Sequence, residues 1–167
     1  MNSNQPSKLL LLQQYADLSA QLKKTLHGLS ILDYSLTRTE GKWTIREIVH
    51  HIVDADSVVH TMILGALGNS GCLYDQSWYK TDNSWVHILK YQERSIDLAT
   101  TLFKANLQSM VELLKILPNS LECQIILRRE IDPQDKKITV EQLIQSRIHH
   151  TQHHLAQIIE TRKVHKV

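Results

Sequence analysis

The sequence predicts an all-α fold, a four-helix bundle with long crossover connections, and three observations lead to this prediction. Glycine and proline are scarce, with 5 and 3 among 167 residues, which favours long helices over a turn-rich β fold. Apolar residues recur at helical spacing in four long segments. Two of these segments begin with the pattern of a helix capping box. The length fits a single domain over residues 1–167 with a sizeable core.

The first two helices have clear boundary signals. The first is predicted over residues 7–27, where leucines recur at steps of three and four, and Gly28 is its stop signal. The second begins at Thr44, whose side chain can cap the backbone while Glu47 reaches back to it. Apolar periodicity then carries this helix to about Leu67.

A loop and a long third helix are predicted next. Residues 72–83 lack helical periodicity and are interpreted as a loop. Residues 84–117 are predicted to form one continuous helix, because apolar residues repeat every seven positions from Leu89 onward, as in helix bundles. Pro118 ends this helix.

The last helix is capped like the second. Before it, the Ile- and Leu-rich segment 121–131 fits either a short strand or an extended crossover, and residues 132–135 are predicted to form a turn. Thr139 and Gln142 form the second capping box, and the helix runs to about Arg162. The long connections after the second and third helices leave room for crossovers in the bundle.

Histidines are the unusual feature of the composition, with ten in the chain. On the second and fourth helices they stand in adjacent pairs, which a turn of about 100° per residue splits between two faces. His51, His150 and His154 fall beside the apolar stripes and are predicted to face inward. The remaining histidines are predicted to be solvated, namely His27, His50, His60, His87, His149, His153 and His165.

The inward histidines predict a divalent metal site. His150 and His154 are four residues apart, so their Cβ atoms lie about 5–6 Å from each other on one helical face. Two imidazoles at that spacing can bind one ion at about 2.0–2.1 Å, and His51 would add a third nitrogen from a facing helix. The alternative is that all three are ordinary histidines with satisfied hydrogen bonds.

The residues around the site restrict its chemistry. Thr151 follows His150, where a zinc peptidase helix would carry a glutamate base. Glu47 is explained as a cap, and Asp54 is predicted to face solvent. Three neutral ligands leave the full charge of the ion, and an open position could bind water or a thiol. Arg147 is a candidate contact for a substrate anion; alternatively it reaches solvent or pairs with a glutamate.

Bulk properties exclude several function classes. The net charge of +2 and the scattered basic residues do not indicate nucleic acid as a partner. No apolar run is long enough for a membrane span, and the N-terminus lacks the apolar core of a signal peptide. Two cysteines, Cys72 and Cys123, do not form a disulfide framework. We therefore expect a cytoplasmic protein.

Four segments resemble one known superfamily. Trp43–Ile52 resembles the second-helix signature of the DinB/YfiT-like superfamily, and His150–Ile158 resembles its His-x-x-His-His-x-x-Gln signature. Tyr74–Trp78 and Asp132–Leu143 resemble loops of the YfiT, or bacillithiol-transferase-like, branch. The resemblance implies a metal-binding four-helix bundle with zinc or nickel. Carried over by position, it implies the ligands that the helical faces selected, His51, His150 and His154.

The resemblance also suggests functions. Characterised relatives include S-transferases that use bacillithiol, mycothiol or glutathione, a thiol-dependent isomerase, and proteins labelled metal-dependent hydrolases. We therefore predict a metal-dependent thiol S-transferase whose partners are a small-molecule thiol and an electrophile. The alternatives are a metal-dependent hydrolase and a non-enzymatic metal-binding or dimerising bundle, and a homodimer is left open. The chain departs from this branch at His149, where the branch often has an aromatic residue.

Overall fold

Four long helices make up most of the structure, as the sequence predicts. The computed structural model describes residues 5–79, 84–132 and 134–167. The elements in chain order are α1 (Gln5–Leu26), α2 (Ile45–Gly68), β1 (Cys72–Asp75), α3 (Ser84–Ile88), α4 (Ile96–Ile116), β2 (Gln124–Arg128), β3 (Lys136–Thr139) and α5 (Val140–His165). Two predicted features lie partly outside the described residues: the loop at 72–83 and the turn at 132–135, which contains Pro133.

Both predicted capping boxes are present. The Thr44 hydroxyl accepts a hydrogen bond from the Glu47 amide at 3.2 Å, and the Glu47 carboxylate accepts one from the Thr44 amide at 2.8 Å. Thr139 and Gln142 exchange the same pair of hydrogen bonds at the start of α5. Each box satisfies backbone donors that have no partner within the helix. They fix where α2 and α5 begin.

The four long helices pack in the cyclic order α1, α5, α2, α4. This order places α1 opposite α2 and α4 opposite α5. The chain therefore crosses the bundle between α4 and α5, where the sequence left room for a crossover. It also crosses between α1 and α2, which the sequence did not indicate, whereas α2 and α4 are neighbours.

A small sheet lies against α2, and it resolves one sequence prediction while correcting another. β2 pairs in parallel with β1 and antiparallel with β3. The ambiguous segment 121–131 thus contains a strand, with the buried Ile125 and Leu127 on one face. The predicted loop at 72–83 is wrong for residues 72–75, because their backbone pairs with 125–128. This partner is distant in sequence, so no local pattern revealed the pairing.

The predicted continuous helix 84–117 is also wrong. Lys90 has φ 50° and ψ 51°, a left-handed conformation that ends α3, and a 3-10 turn follows at Tyr91–Glu93. A new helix starts after Ser95, whose hydroxyl accepts a hydrogen bond from the Leu98 amide. The seven-residue repeat persists only within α4, where Phe103 and Met110 are fully buried.

The core lies where the four long helices meet. Its largest fully buried side chains include Tyr15, Phe103, Leu107 and Met110. Cys72 and Cys123 are both free and half-buried. In the part of the chain that the structure describes, no helix is long and apolar enough to cross a membrane.

Candidate metal centre

Three imidazole nitrogens converge between α2 and α5. His150 Nε2 lies 3.1 Å from His51 Nε2 and 3.2 Å from His154 Nε2, and one ligand atom from each residue lies within 4.8 Å of the others. Ligands of a tetrahedral ion at 2.0–2.1 Å are about 3.3 Å apart. The donor set and its spacing therefore suit a divalent metal ion. The structure brings together the three residues that the sequence selected, and their assignment as ligands stays a prediction.

Helix packing places these side chains. α2 carries His51 and α5 carries His150 and His154, and the two helices are direct neighbours. The two α5 rings stand one turn apart with centroids 4.5 Å from each other. The buried apolar stripes of both helices turn these histidines toward each other, as periodicity predicts.

Burial keeps the three imidazoles neutral. It lowers the pKa of His51 to about 3, with further lowering by the nearby His154 and Arg147. Burial, reinforced by the positive charge of Arg147, lowers the pKa of His150 to about 2. Burial also lowers the pKa of His154 to about 4. A neutral imidazole has one unprotonated nitrogen, and this is the form that binds a metal.

Gln157 orients the His154 ring. His154 Nδ1 lies 3.0 Å from Gln157 Oε1, which can only accept, so Nδ1 carries the proton and Nε2 keeps its lone pair. Gln157 Nε2 in turn donates to His153 Nε2 at 2.8 Å. Such outer hydrogen bonds commonly fix the tautomer of a metal-binding histidine. In the sequence, Gln157 stands out only as the last residue of the His-x-x-His-His-x-x-Gln signature.

Trp43 forms an aromatic wall of the site. Its ring centroid lies 4.7 Å from that of His51 and 6.0 Å from that of His154, with a stacked geometry in the second case. Trp43 immediately precedes the Thr44 cap, so the start of α2 holds its position. This indole therefore lies against two of the three imidazoles, those of His51 and His154.

Arg147 lies behind His150 in a buried charged cluster. Its side chain is 4% exposed, and its Nη2 lies 2.6 Å from His150 Nδ1. Its Nε lies 4.0 Å from Oδ1 of the fully buried Asp56, which also accepts a hydrogen bond from Tyr15 at 3.2 Å. The alternatives that Arg147 reaches solvent or pairs with a glutamate are therefore wrong. Contact with a substrate anion stays a prediction.

Sequence reasoning missed Asp56, although a signal was available. Asp56 follows Ile52 by four residues and lies within the apolar stripe of α2, so helical periodicity alone places it inward. Burial raises the pKa of its carboxyl to about 6, although the charge of Arg147 opposes this shift. An acidic residue in an apolar stripe indicates a buried cation nearby, here one carried by α5.

The remaining histidines are only partly as predicted. His149 and His153 are exposed, and so are the other predicted solvated residues His27, His87 and His165. The prediction that His50 is solvated is wrong, since this residue is 1% exposed and its Nε2 donates to the Arg94 carbonyl at 3.2 Å. The same prediction is wrong for His60, because this residue is half-buried and burial lowers its pKa.

The carboxylates closest in sequence to His51 are all engaged. Glu47 caps α2, and Asp56 contacts Tyr15. Asp54 does not face solvent as predicted but pairs with Arg94 through two hydrogen bonds of 2.6 and 3.0 Å. Among the described residues, the cluster of converging ligand atoms contains histidine only. In the part of the chain that the structure describes, the site thus offers histidine ligands with no carboxylate among them.

Three neutral imidazoles that converge from facing helices are typical of one class of protein, the metal-binding helical bundles. The chain belongs to the DinB superfamily, whose family model matches residues 14–158. This finding confirms the family that the sequence signatures suggested.

The fold is also found in a solved structure. The chain is similar to YfiT from Bacillus subtilis, described as a probable metal-dependent hydrolase with an unusual four-helix bundle topology. The TM-score is 0.80 at 19% sequence identity, and the match covers 98% of this chain and 89% of that chain. It confirms the four-helix bundle. A search of the curated proteins found no match.

Proposed function

We propose that this chain is a metal-dependent thiol S-transferase that activates a low-molecular-weight thiol at His51, His150 and His154. One observation carries the proposal. Three neutral imidazole nitrogens converge, while the neighbouring carboxylates of Glu47, Asp54 and Asp56 are bound elsewhere. Such a site favours a nucleophile that needs no protein base over one that does.

Thiol activation fits this arrangement. A free thiol has a pKa of about 8.5, and a bound zinc or nickel ion would deprotonate a coordinated thiol. The three histidines would hold the ion without neutralising it. The thiolate sulfur then bonds to the electrophilic carbon, whose leaving group departs with its electron pair, and the thiol proton passes to solvent. The reaction requires no protein nucleophile, so Cys72 and Cys123 are dispensable.

The second candidate is a metal-dependent hydrolase, and the description of YfiT favours it. Metal-bound hydroxide would then attack an ester or amide. The engaged carboxylates count against this candidate, because Glu47, Asp54 and Asp56 are bound elsewhere and the described ligand cluster contains no acid that could protonate the leaving group. A third candidate is a non-enzymatic metal-binding or dimerising bundle.

A thiol screen separates these candidates. The chain is loaded with zinc or nickel and offered bacillithiol, glutathione, cysteine or coenzyme A with a chromogenic electrophile. We expect conjugation that requires the metal, survives replacement of both cysteines by serine, and is lost in His154→Ala. His149→Ala is the matched control, because His149 is exposed on the same helix.

Other results of the screen assign the other functions. Hydrolysis of an ester or amide without any thiol would move the assignment to the hydrolase. Full metal occupancy without either turnover would favour the binding role, and light scattering would then test for the homodimer.

Arg147 requires its own test as a substrate contact. Asp56 already provides one anion near its guanidinium. If a substrate carboxylate also binds there, Arg147→Lys should raise KM for an acidic electrophile more than for a neutral one, because lysine cannot replace the bidentate contact. Equal KM changes for both electrophiles would show that Arg147 does not contact the substrate anion.

A further inference from the structure

The contact between Arg147 and His150 has a fixed hydrogen-bond direction. A guanidinium has donors only, so at 2.6 Å from Arg147 Nη2 the His150 Nδ1 atom must accept. A neutral imidazole carries a single N–H, which for His150 must then be on Nε2. This is the nitrogen that faces His51 and His154.

A metal bound at Nε2 requires the opposite tautomer. Nε2 must offer its lone pair, which leaves the proton of the neutral ring on Nδ1. That proton would meet the Arg147 donor, and two donors cannot form a hydrogen bond. His154 shows the arrangement suited to a ligand, since its Nδ1 faces the accepting oxygen of Gln157 at 3.0 Å. The two α5 histidines are therefore held in opposite tautomers.

Asp56 offers the guanidinium another partner. Its side chain is fully buried, and its Oδ1 lies 4.0 Å from Arg147 Nε. Among the described residues, neither Asp56 Oδ2 nor Arg147 Nε has a hydrogen-bond partner. The carboxylate and the guanidinium thus lie side by side in the core, each with an unpaired polar atom, and an unpaired buried polar atom costs free energy.

We propose that Arg147 and Asp56 set the metal affinity of the site: Arg147 competes with the ion for His150, and Asp56 takes the guanidinium when His150 binds the ion. The proposal rests on the proposed metal site. It assigns Arg147 and Asp56 a role in positioning His150, because neither touches the ion.

Zinc affinity of matched variants tests the proposal, measured by competition with a chromophoric chelator. In Arg147→Met/Asp56→Asn the competing donor is gone and the net charge is unchanged, so zinc should bind about tenfold tighter or more. In Asp56→Asn the guanidinium loses the anion beside it and keeps only neutral acceptors, the new amide oxygen and Thr151 Oγ1 at 3.4 Å, so zinc should bind about tenfold more weakly. Asp54→Asn removes the same charge from α2 but leaves Arg147 unaffected, so its affinity should change less than threefold.

A spectroscopic measurement on the unaltered chain tests the same proposal and does not depend on whether any variant folds. Nitrogen-15 NMR of the histidine rings distinguishes protonated from unprotonated nitrogens. Before zinc is added, His150 should show an unprotonated Nδ1; after zinc binds, this nitrogen should be protonated. His154 Nδ1 should be protonated in both cases.

The outcomes separate the two proposals. Failure of the unaltered chain to bind zinc or nickel would overturn the metal site itself. Normal zinc binding with an Nδ1 that stays unprotonated, or weaker or unchanged binding by the folded double variant, would show that Arg147 does not compete for His150. Either result overturns the role of Arg147 and Asp56 and leaves the metal site standing.

Discussion

Adjacent histidines on α2 and α5 differ in their surroundings. On α5, helical periodicity sorts all four correctly, with His150 and His154 at the cluster and His149 and His153 exposed. On α2, the same reasoning places His51 correctly, but its neighbour His50 is buried on the other side of the helix. The face of α5 that carries His149 and His153 is exposed to solvent, whereas the face of α2 that carries His50 is covered by other residues.

The cover over α2 comes from the segment that breaks the predicted third helix. The Arg94 carbonyl accepts from His50 at 3.2 Å and from Arg46 at 2.8 Å, and the Arg94 side chain pairs with Asp54. The segment can lie across α2 because α3 ends at Ile88 and the left-handed Lys90 turns the chain. Periodicity therefore shows which residues share a face, but tertiary structure decides how many faces are covered.

The sharpest comparison is between two neighbours on α5. His150→Ala should lower zinc affinity at least about 100-fold, since loss of a ligand exceeds the 10–100-fold typical of outer hydrogen-bond partners. His149→Ala should leave affinity within about twofold, because this side chain is exposed. Equilibrium dialysis against zinc checks both. If only the His149 variant lost zinc, the result would contradict the assignment of His150 to the inward face of α5.

The orienting contact on α5 should matter less than a ligand. Gln157→Leu removes the acceptor that holds His154 Nδ1–H, so zinc affinity should fall about 10–100-fold. Gln157→Glu keeps an acceptor at this position and should bind zinc at least as tightly as the unaltered chain. Equal losses in both variants would mean that the effect comes from packing and not from the hydrogen bond.

The parts that the sequence predicted share a physical property, namely that the signal is local. The capping boxes join residues three apart, and the pair His150 and His154 is one turn apart. β1 could not be found in this way, because four residues with alternating burial carry little periodicity and their partner is β2. The pairing of Asp56 with Arg147 is likewise not local: periodicity alone places Asp56 inward, but its partner lies on another helix and is known only from the fold.

The covered face of α2 should contribute stability and not metal binding. His50→Ala should destabilise the metal-free chain by about 1–3 kcal/mol, because it removes a buried ring and a hydrogen bond to the Arg94 carbonyl. His149→Ala should change stability by less than about 0.5 kcal/mol. Urea unfolding in the presence of a chelator measures both. A neutral effect of His50→Ala would show that the segment does not cover α2 in solution.

The smallest expected effect tests the helix break itself. Ser95 caps α4 by accepting from the Leu98 amide at 3.3 Å, so Ser95→Ala should destabilise the chain by about 0.5–2 kcal/mol. Ser95→Asp keeps an accepting oxygen at the cap and should retain most of the stability. If residues 84–117 formed one helix, Ser95 would lie in its interior, and alanine would stabilise the chain by a few tenths of a kcal/mol. The sign of the change in urea unfolding therefore decides between a broken and a continuous helix, and with it whether a segment is free to cover His50.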